Sequence, residues 1–139
     1  MTLLPAAAPE RHTHMRSLLC LLLASALSPA ADQFSPSDVT ILRDLDYRQT
    51  SPELDCPGGE KYCALVFNAA GGDRVQIVVT GAGKPLIAIA DGTLKEIARG
   101  ARKLEATLPA TQEPVTWYAI FRGESGKAGR FTVQLRKLP

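Results

Sequence analysis

The chain has 139 residues, and its 16 lysines and arginines nearly balance its 14 aspartates and glutamates. A formal net charge of +2 is far from the concentrated positive charge of nucleic-acid-binding proteins, so we expect no nucleic-acid partner. The length allows one domain of ordinary size with a modest hydrophobic core.

Residues 1–30 have the features of a signal peptide. Arg16 supplies a positive charge, residues 18–24 form a short apolar run, and residues 28–30 are small. The run is about half of the roughly 20 residues that a helix needs to cross a bilayer, so we predict no membrane span. We expect cleavage after Ala30.

Three details of this leader allow alternatives. Ala26 is a second candidate for the cleavage site. The prolines and the glutamate ahead of the positive residue are atypical of a signal, which favours Met15 as the true start. Cys20 lies inside the apolar run rather than after it, so we do not expect this cysteine to carry a lipid.

Loss of the leader would remove both histidines of the chain, His12 and His14. Residues 31–139 then lack the imidazole that Ser-His-Asp and Cys-His catalytic groups require, and the usual histidine-containing zinc sites. No phosphate-binding loop or dinucleotide fingerprint is present. We therefore predict a periplasmic or secreted protein, with a single domain over residues 31–139, that is not an enzyme and uses no metal and no cofactor.

Two cysteines remain after cleavage, Cys56 and Cys63. An even pair in an oxidising compartment indicates a disulfide. Six residues separate them, whereas a redox-active pair is separated by two. Pro57, Gly58 and Gly59 provide the turn geometry that so short a loop needs, so we predict a structural disulfide.

The rest of the pattern is that of short strands between turns. Residues 31–37 look like a flexible leader and residues 46–59 like a loop. Strands are favoured by β-branched residues, by alternation of apolar and polar side chains, and by glycine-rich or Asp-Gly turns between them. The predicted strands are residues 39–45, 62–68, 74–80, 85–90, 115–122 and 130–136.

Alternation also predicts which side chains of the last two strands point into the core. In the strand at 115–122 we expect three inward side chains, and the same number in the strand at 130–136. The inward residues are Trp117, Ala119, Phe121, Phe131, Val133 and Leu135.

Residues 93–108 fit two secondary structures. A helix is suggested by Thr93 and Glu96, which match a capping box. Two short strands are suggested by the alternation at residues 103–108 and by Gly100, which interrupts a continuous helix. We favour the strands. Up to eight short strands in one domain then indicate an all-β fold, a small antiparallel β-sandwich.

Three segments of the chain resemble bacterial pre-peptidase C-terminal (PPC-like) domains. Residues 67–81 (FNAAGGDRVQIVVTG) are similar to the aromatic–x–Ala-Gly-Asp–x–Val–x–Ile segment of those domains. Residues 104–121, with LPA and WYAIF, are similar to the Leu-Pro-Ala segment and the strand after it. Residues 125–135 are similar to the closing Ser-Gly strand. The order agrees over roughly residues 62–138.

The resemblance implies a β-sandwich of jelly-roll type, and it supports strands for residues 93–108. The same layout occurs as a free-standing exported protein in periplasmic inhibitors of goose-type lysozyme. The chain departs from the pattern in two places. At residues 84–90, the acidic Asp-x-Asp-x-Tyr stretch of those domains is replaced by mainly apolar residues, and residues 112–116 replace the glycine that precedes their tyrosine. The implied function is inhibition of a cell-wall lytic enzyme through a protein–protein contact in the envelope.

The segment 122–130 between the last two strands carries three cations, one anion and three glycines. Clefts of wall-degrading enzymes hold catalytic carboxylates, and arginine pairs with carboxylates through two hydrogen bonds. The alternative interpretation is an ordinary solvated hairpin loop. The candidate partner-binding residues are Tyr118, Arg122, Glu124, Ser125, Lys127 and Arg130.

Two other functions stay open. A glycan-binding or wall-binding accessory module would use exposed aromatic side chains, for which Tyr47, Tyr62 and Tyr118 are candidates. A hydrolase that uses only carboxylates would need a pair such as Asp44 and Asp46, which share one face of a strand.

Overall fold

The computed structural model describes residues 33–113 and 115–139, so the predicted signal peptide, its cleavage sites and the start at Met15 lie outside the described residues. Within that part of the chain, no helix is long and apolar enough to cross a bilayer. The strands are β1 (Val39–Asp44), β2 (Leu54–Cys56), β3 (Tyr62–Ala69), β4 (Arg74–Thr80), β5 (Leu86–Ala90), β6 (Glu96–Ala101), β7 (Lys103–Thr107), β8 (Val115–Arg122) and β9 (Gly129–Leu138).

The strands form two sheets, of five and four strands. The order is β1-β3-β8-β5-β6 in the larger sheet and β7-β4-β9-β2 in the smaller. A single residue pair, Ala101 with Lys103, joins β6 to β7, because the chain turns sharply at Arg102, whose φ is +62°. Neighbouring strands are antiparallel except β1, which runs parallel to β3. The predicted all-β sandwich is confirmed.

The segment 93–108 forms two strands, as favoured above, and the helical alternative is wrong. β6 pairs with β5 over five residue pairs, and β7 pairs with β4 over five. These pairings use backbone groups that a helix would bond internally. The sharp turn between β6 and β7 carries the chain from one sheet to the other.

One strand, β2, was not predicted from the sequence. Residues 46–59 were predicted as a loop, but β2 lies within them and pairs with the start of β9, with Asp55 opposite Arg130. A strand of three residues at a sheet edge has too few positions to show alternation, so its formation depends on its neighbour rather than on its own sequence.

The core lies between the two sheets. The alternation predicted for β8 and β9 is confirmed, since all six inward side chains are buried. The indole of Trp117 is placed by a hydrogen bond from its Nε1 to the carbonyl oxygen of Ala69, 3.1 Å away, so the buried N–H is satisfied. Phe121 and Phe131 meet edge to face across the sheets, with ring centroids 5.8 Å apart.

A second apolar cluster covers the outer face of the five-stranded sheet. Ala64, Ala88, Ala90 and Ile120 are fully buried there, so the side of β8 opposite the predicted inward residues is also partly covered. The segment that was predicted as a flexible leader packs on this cluster, and Phe34 is buried in it. That part of the prediction was wrong because contacts distant in sequence hold the segment: the Phe34 ring packs on small side chains, and the amide of Phe34 donates to the carbonyl oxygen of Leu94 at 2.9 Å.

The predicted disulfide between Cys56 and Cys63 is present. It connects β2, at the edge of the four-stranded sheet, to β3 in the five-stranded sheet, and both cysteines are buried. The crosslink therefore ties the two layers of the sandwich together at one end.

Candidate functional site

The candidate site centres on the β8–β9 loop, residues 123–128. A single 3-10 turn, Glu124–Gly126, shapes it, and the amide of Gly126 donates to the carbonyl oxygen of Gly123 at 2.9 Å. Ser125 and Gly126 both have positive φ, 55° and 75°. Glycine adopts this conformation without cost but serine does not, so the loop has one defined and slightly strained shape.

The disulfide loop, residues 57–62, packs against the β8–β9 loop. The amide of Gly59 donates to the carbonyl oxygen of Gly126 at 2.7 Å. At Gly58 the two backbones come so close that a Cβ atom would lie 2.6 Å from the Gly126 oxygen and 2.8 Å from the amide nitrogen of Ala128. The contact between the two loops therefore requires glycine at this position.

The other side of the β8–β9 loop faces the turn at residues 81–83. A Cβ atom at Gly83 would lie 2.9 Å from a carboxylate oxygen of Glu124, so the glutamate side chain covers that turn. Between them is a cavity of about 130 Å³, lined in part by Glu124, Lys127 and Phe131. The loop is thus supported on both sides, while Glu124, Ser125 and Lys127 remain exposed.

Arg122, the last residue of β8, lies on the outer face of the five-stranded sheet. Its guanidinium carbon is 4.6 Å from the centre of the Tyr62 ring, a cation–π contact. Tyr62 in turn packs edge to face against Phe34, with centroids 5.1 Å apart. The Nε of Arg122 is buried and has no hydrogen-bond partner among the described residues. The aromatic stack thus holds the side chain in place without using that donor.

Tyr118 lies on the same face of β8 as Arg122, four residues away. It is half-buried and lines a shallow groove of about 360 Å³ with Val39, Ile41 and Leu94. Ile41 is the large hydrophobic side chain of the described residues that is most exposed, at 52%. Tyr118 therefore belongs to an apolar part of the surface that begins where the charged loop ends.

Arg130 lies apart from these residues, in β9 opposite Asp55 of the edge strand β2. Its Nη1 is 3.3 Å from a carboxylate oxygen of Glu53 and its Nε is 3.0 Å from one of Asp55. The hydrogen bond to Glu53 and the charge of Asp55 raise the pKa of the guanidinium above its usual value. Its charge is already matched, which makes it the weakest candidate of the six for binding a partner.

Sequence reasoning grouped six residues by their position along the chain, and the structure arranges them in three places. Glu124, Ser125 and Lys127 share the loop, Arg122 and Tyr118 share the outer sheet face, and Arg130 pairs with β2. The grouping omitted Tyr62, which was considered only as an exposed aromatic. Its position directly before Cys63 was the available signal, since the disulfide fixes where the start of β3 lies.

Comparison with solved structures finds this architecture in a bacterial periplasmic protein. PliG of Aeromonas hydrophila, a periplasmic lysozyme inhibitor of g-type lysozyme, is 11% identical and superposes with a TM-score of 0.55 over 72% of this chain and 99% of its own. The chain has the fold of a g-type lysozyme inhibitor. The resemblance seen in the sequence is therefore confirmed at the level of fold.

Two further matches superpose less well. The pre-peptidase C-terminal domain of a Bacillus anthracis collagenase is 13% identical, with a TM-score of 0.49 over 70% of this chain and 95% of its own. PliG of Salmonella Typhimurium is 14% identical, with a TM-score of 0.48 over 69% and 98%. No family model and no curated protein matches the sequence.

On this lysozyme-inhibitor fold, the β8–β9 loop and the start of β3 lie at the end of the sandwich that the disulfide closes. The disulfide bond is consistent with an oxidising compartment. The arrangement presents a supported loop with one acidic and one basic side chain, next to an arginine held against a tyrosine ring.

Proposed function

We propose that this protein is an exported, non-catalytic inhibitor of a cell-wall lytic enzyme, and that its partner is a g-type lysozyme. The observation that carries the proposal is the β8–β9 loop, which is held by the disulfide loop on one side and the turn at residues 81–83 on the other. The likeness of the whole fold to a periplasmic lysozyme inhibitor supports the same conclusion.

A supported loop is suited to entering a cleft. A loop that is already ordered loses little conformational freedom on binding, so more of the contact energy appears as affinity. The clefts of glycan-cleaving enzymes contain carboxylates that act as acid, base or nucleophile. Lys127, exposed on the loop, and Arg122, at its base, can pair with such carboxylates and block access to them.

Arg122 has the geometry expected of an anchor residue. The Tyr62 ring restricts its side chain before any partner arrives, and its Nε has no bond to break. A guanidinium that is ordered in advance and partly shielded from water forms stronger pairs with carboxylates than a freely moving one. We therefore assign Arg122 and Lys127 to direct contact, and the disulfide loop to support.

The test uses the purified exported protein and lysozymes of the g, c and i types, with binding measured by gel filtration and inhibition by cell-wall turbidity. We expect inhibition of the g-type enzyme. Arg122→Ala should weaken binding by about 2 kcal/mol, roughly thirtyfold. Arg122→Lys, which keeps the charge but not the two-pronged geometry, should lose less.

The matched control is Arg43→Ala, which removes an exposed arginine from β1, and it should bind as the wild type does. Circular dichroism must show that each variant keeps the β-sheet spectrum. If the wild-type protein leaves all three lysozyme types fully active, the proposal is wrong.

Export is the second part of the proposal. Residues 31–139 would follow the signal peptide, with the cleavage site after Ala30. Expression of the full chain in a Gram-negative host, followed by osmotic release and N-terminal sequencing, should give a periplasmic protein that begins at residue 31, or at residue 27 if the alternative site is used. A cytoplasmic protein with an intact N-terminus would contradict this part.

A further inference from the structure

A cationic groove lies on the outer face of the four-stranded sheet, away from the β8–β9 loop. It has a volume of about 450 Å³, and its lining consists of three cationic side chains, two amides and the last two residues of the chain: Arg48, Arg136, Lys137, Gln76, Gln134, Leu138 and Pro139. An adjoining depression of about 420 Å³ shares Arg48 and Lys137 and adds the side chain of Tyr47.

β9 and the segment before β2 bring the two arginines together. The segment runs beside β9, with Thr50 paired to Gln134 and the amide of Arg48 donating to the carbonyl oxygen of Leu135 at 2.7 Å. Arg48 therefore reaches the sheet face next to Arg136, and both side chains are exposed. Like charges brought together across a sheet repel one another, so this arrangement costs stability unless an anion joins them.

Neither arginine has an ion-pair partner within residues 33–113 and 115–139, and no carboxylate side chain of those residues lines the groove. The neighbouring charges are matched elsewhere. Lys137 lies 3.6 Å from Asp73, and Glu105 pairs with Lys103 at 3.7 Å. The oxygen of Pro139 accepts from Arg74, 3.5 Å away, rather than from either groove arginine.

The uncharged groups of the groove suit a sugar. Gln76 is 8% exposed and its Nε2 donates to Glu105 at 2.9 Å, which fixes the amide in one orientation. In the adjoining depression, Tyr47 is held in the same way, because its hydroxyl donates to Asp73 at 3.0 Å. Burial, together with Asp73, raises the pKa of this tyrosine, so it remains a neutral aromatic surface. Ordered amides beside an aromatic ring can bind hydroxyl groups and a sugar face together.

The backbone conformation of Arg48 is also consistent with a binding site. Its φ is +66°, a conformation that suits glycine and is strained for an arginine. Leu94, Arg102 and Ser125 also have positive φ, so this strain supports a binding role only together with the geometry of the groove.

We infer that this groove is a second binding site, and that its ligand is a glycan that carries carboxylate groups. Arg48 and Arg136 pair with a carboxylate, while Gln76, Gln134 and Tyr47 contact the sugar rings. For an exported protein, such a site provides retention on an anionic polysaccharide independently of any enzyme that the β8–β9 loop binds.

The test is titration of the purified protein with tetragalacturonate, followed by calorimetry and by amide chemical shifts, with maltotetraose as the uncharged probe. We expect binding of the galacturonate alone, weakened by added salt. The shifts should be confined to residues 47–50, β4 and β9. Arg136→Gln and Arg48→Gly should each weaken binding about tenfold or more, whereas Arg43→Gln should not change it.

Arg48→Gly distinguishes a binding role from a structural one. Glycine relieves the strained backbone, so the variant should unfold at the same urea concentration or a higher one while it loses the ligand. Three results would overturn the proposal: no binding of tetragalacturonate, equal binding of maltotetraose, or full affinity in Arg48→Gly and Arg136→Gln. Tighter binding of a single-stranded oligonucleotide than of the galacturonate would also overturn it, in favour of a phosphate site.

Discussion

The amide of Gly59 donates a 2.7 Å hydrogen bond to the carbonyl oxygen of Gly126, and this bond joins the disulfide loop to the β8–β9 loop. The disulfide between Cys56 and Cys63 closes the first of these loops. The covalent bond in one loop therefore supports the other, and we expect the shape of the proposed binding surface to depend on the oxidation state of the two buried sulfur atoms.

Reduction of this disulfide should cost both stability and affinity. Closing a loop of about eight residues contributes roughly 2–3 kcal/mol in the chain-entropy model, so Cys56→Ser/Cys63→Ser should lower the free energy of unfolding by about that much. Lysozyme affinity should fall as well, even at temperatures where the variant is fully folded, because the disulfide loop no longer holds Gly126. Urea unfolding and lysozyme titration measure the two effects separately. Unchanged affinity in the folded variant would show that the β8–β9 loop does not need this support.

Alanine at Gly58 should displace the β8–β9 loop. Its Cβ would meet two backbone atoms at 2.6 and 2.8 Å, and overpacking of this kind costs about 1–3 kcal/mol. The expected result is a drop in lysozyme affinity, with amide shifts at residues 123–128.

Gly59→Ala is the matched control for that variant. A Cβ there meets nothing within 4 Å, but the φ of +85° strains an alanine by about 1 kcal/mol. This variant should lose stability while its lysozyme affinity changes little. If both alanine variants bind lysozyme equally well, contact between the two loops is not what shapes the binding surface.

Patterns of two to eight residues predicted most of this fold. The strands at 74–80 and 115–122 were predicted with the bounds that the structure shows, because each is long, alternating and bounded by turn residues. β2 and the docking of Phe34 were missed, since both depend on partners that are distant in sequence. For the same reason no local pattern could reveal that Arg130 pairs with Glu53 and Asp55, or that Arg48 lies beside Arg136.

Phe34 should be required for the stability of the domain. It is 6% exposed and covers Ala64, Ala88 and Ile120, so Phe34→Ala should cost about 3 kcal/mol and expose an apolar face. Thermal unfolding and binding of a hydrophobic dye would report the loss. Ser35→Ala, at the exposed position next to it, should leave both measurements unchanged. A wild-type melting temperature for Phe34→Ala would mean that residues before β1 do not belong to the folded domain.

Protonation of Asp91 should lower the stability of the domain in acid. Its Oδ1 accepts hydrogen bonds from the amide of Thr93 at 2.9 Å, from the Thr93 hydroxyl at 2.6 Å and from the amide of Lys95 at 3.0 Å. Burial alone would raise the pKa of this carboxyl, but the bonds from Thr93 and Lys95 outweigh it and hold the pKa below its usual value. The same turn anchors the cover of the outer face, because the amide of Phe34 donates to the carbonyl oxygen of Leu94 at 2.9 Å.

Because the pKa is lower in the folded state than in the unfolded state, the stabilisation is complete above the unfolded value, near pH 4, and is lost as the pH falls through the folded value. Asp91→Asn cannot ionise, so it should be less stable than the wild type by about 1 kcal/mol at pH 7. The difference in stability between the two proteins should shrink as the pH falls below the unfolded value. Asp44→Asn, at an exposed position of β1 outside this turn, serves as the control. Urea midpoints measured from pH 2 to pH 7 test this prediction, and a stability difference that stays constant over that range would mean that the charge of Asp91 does not hold the turn.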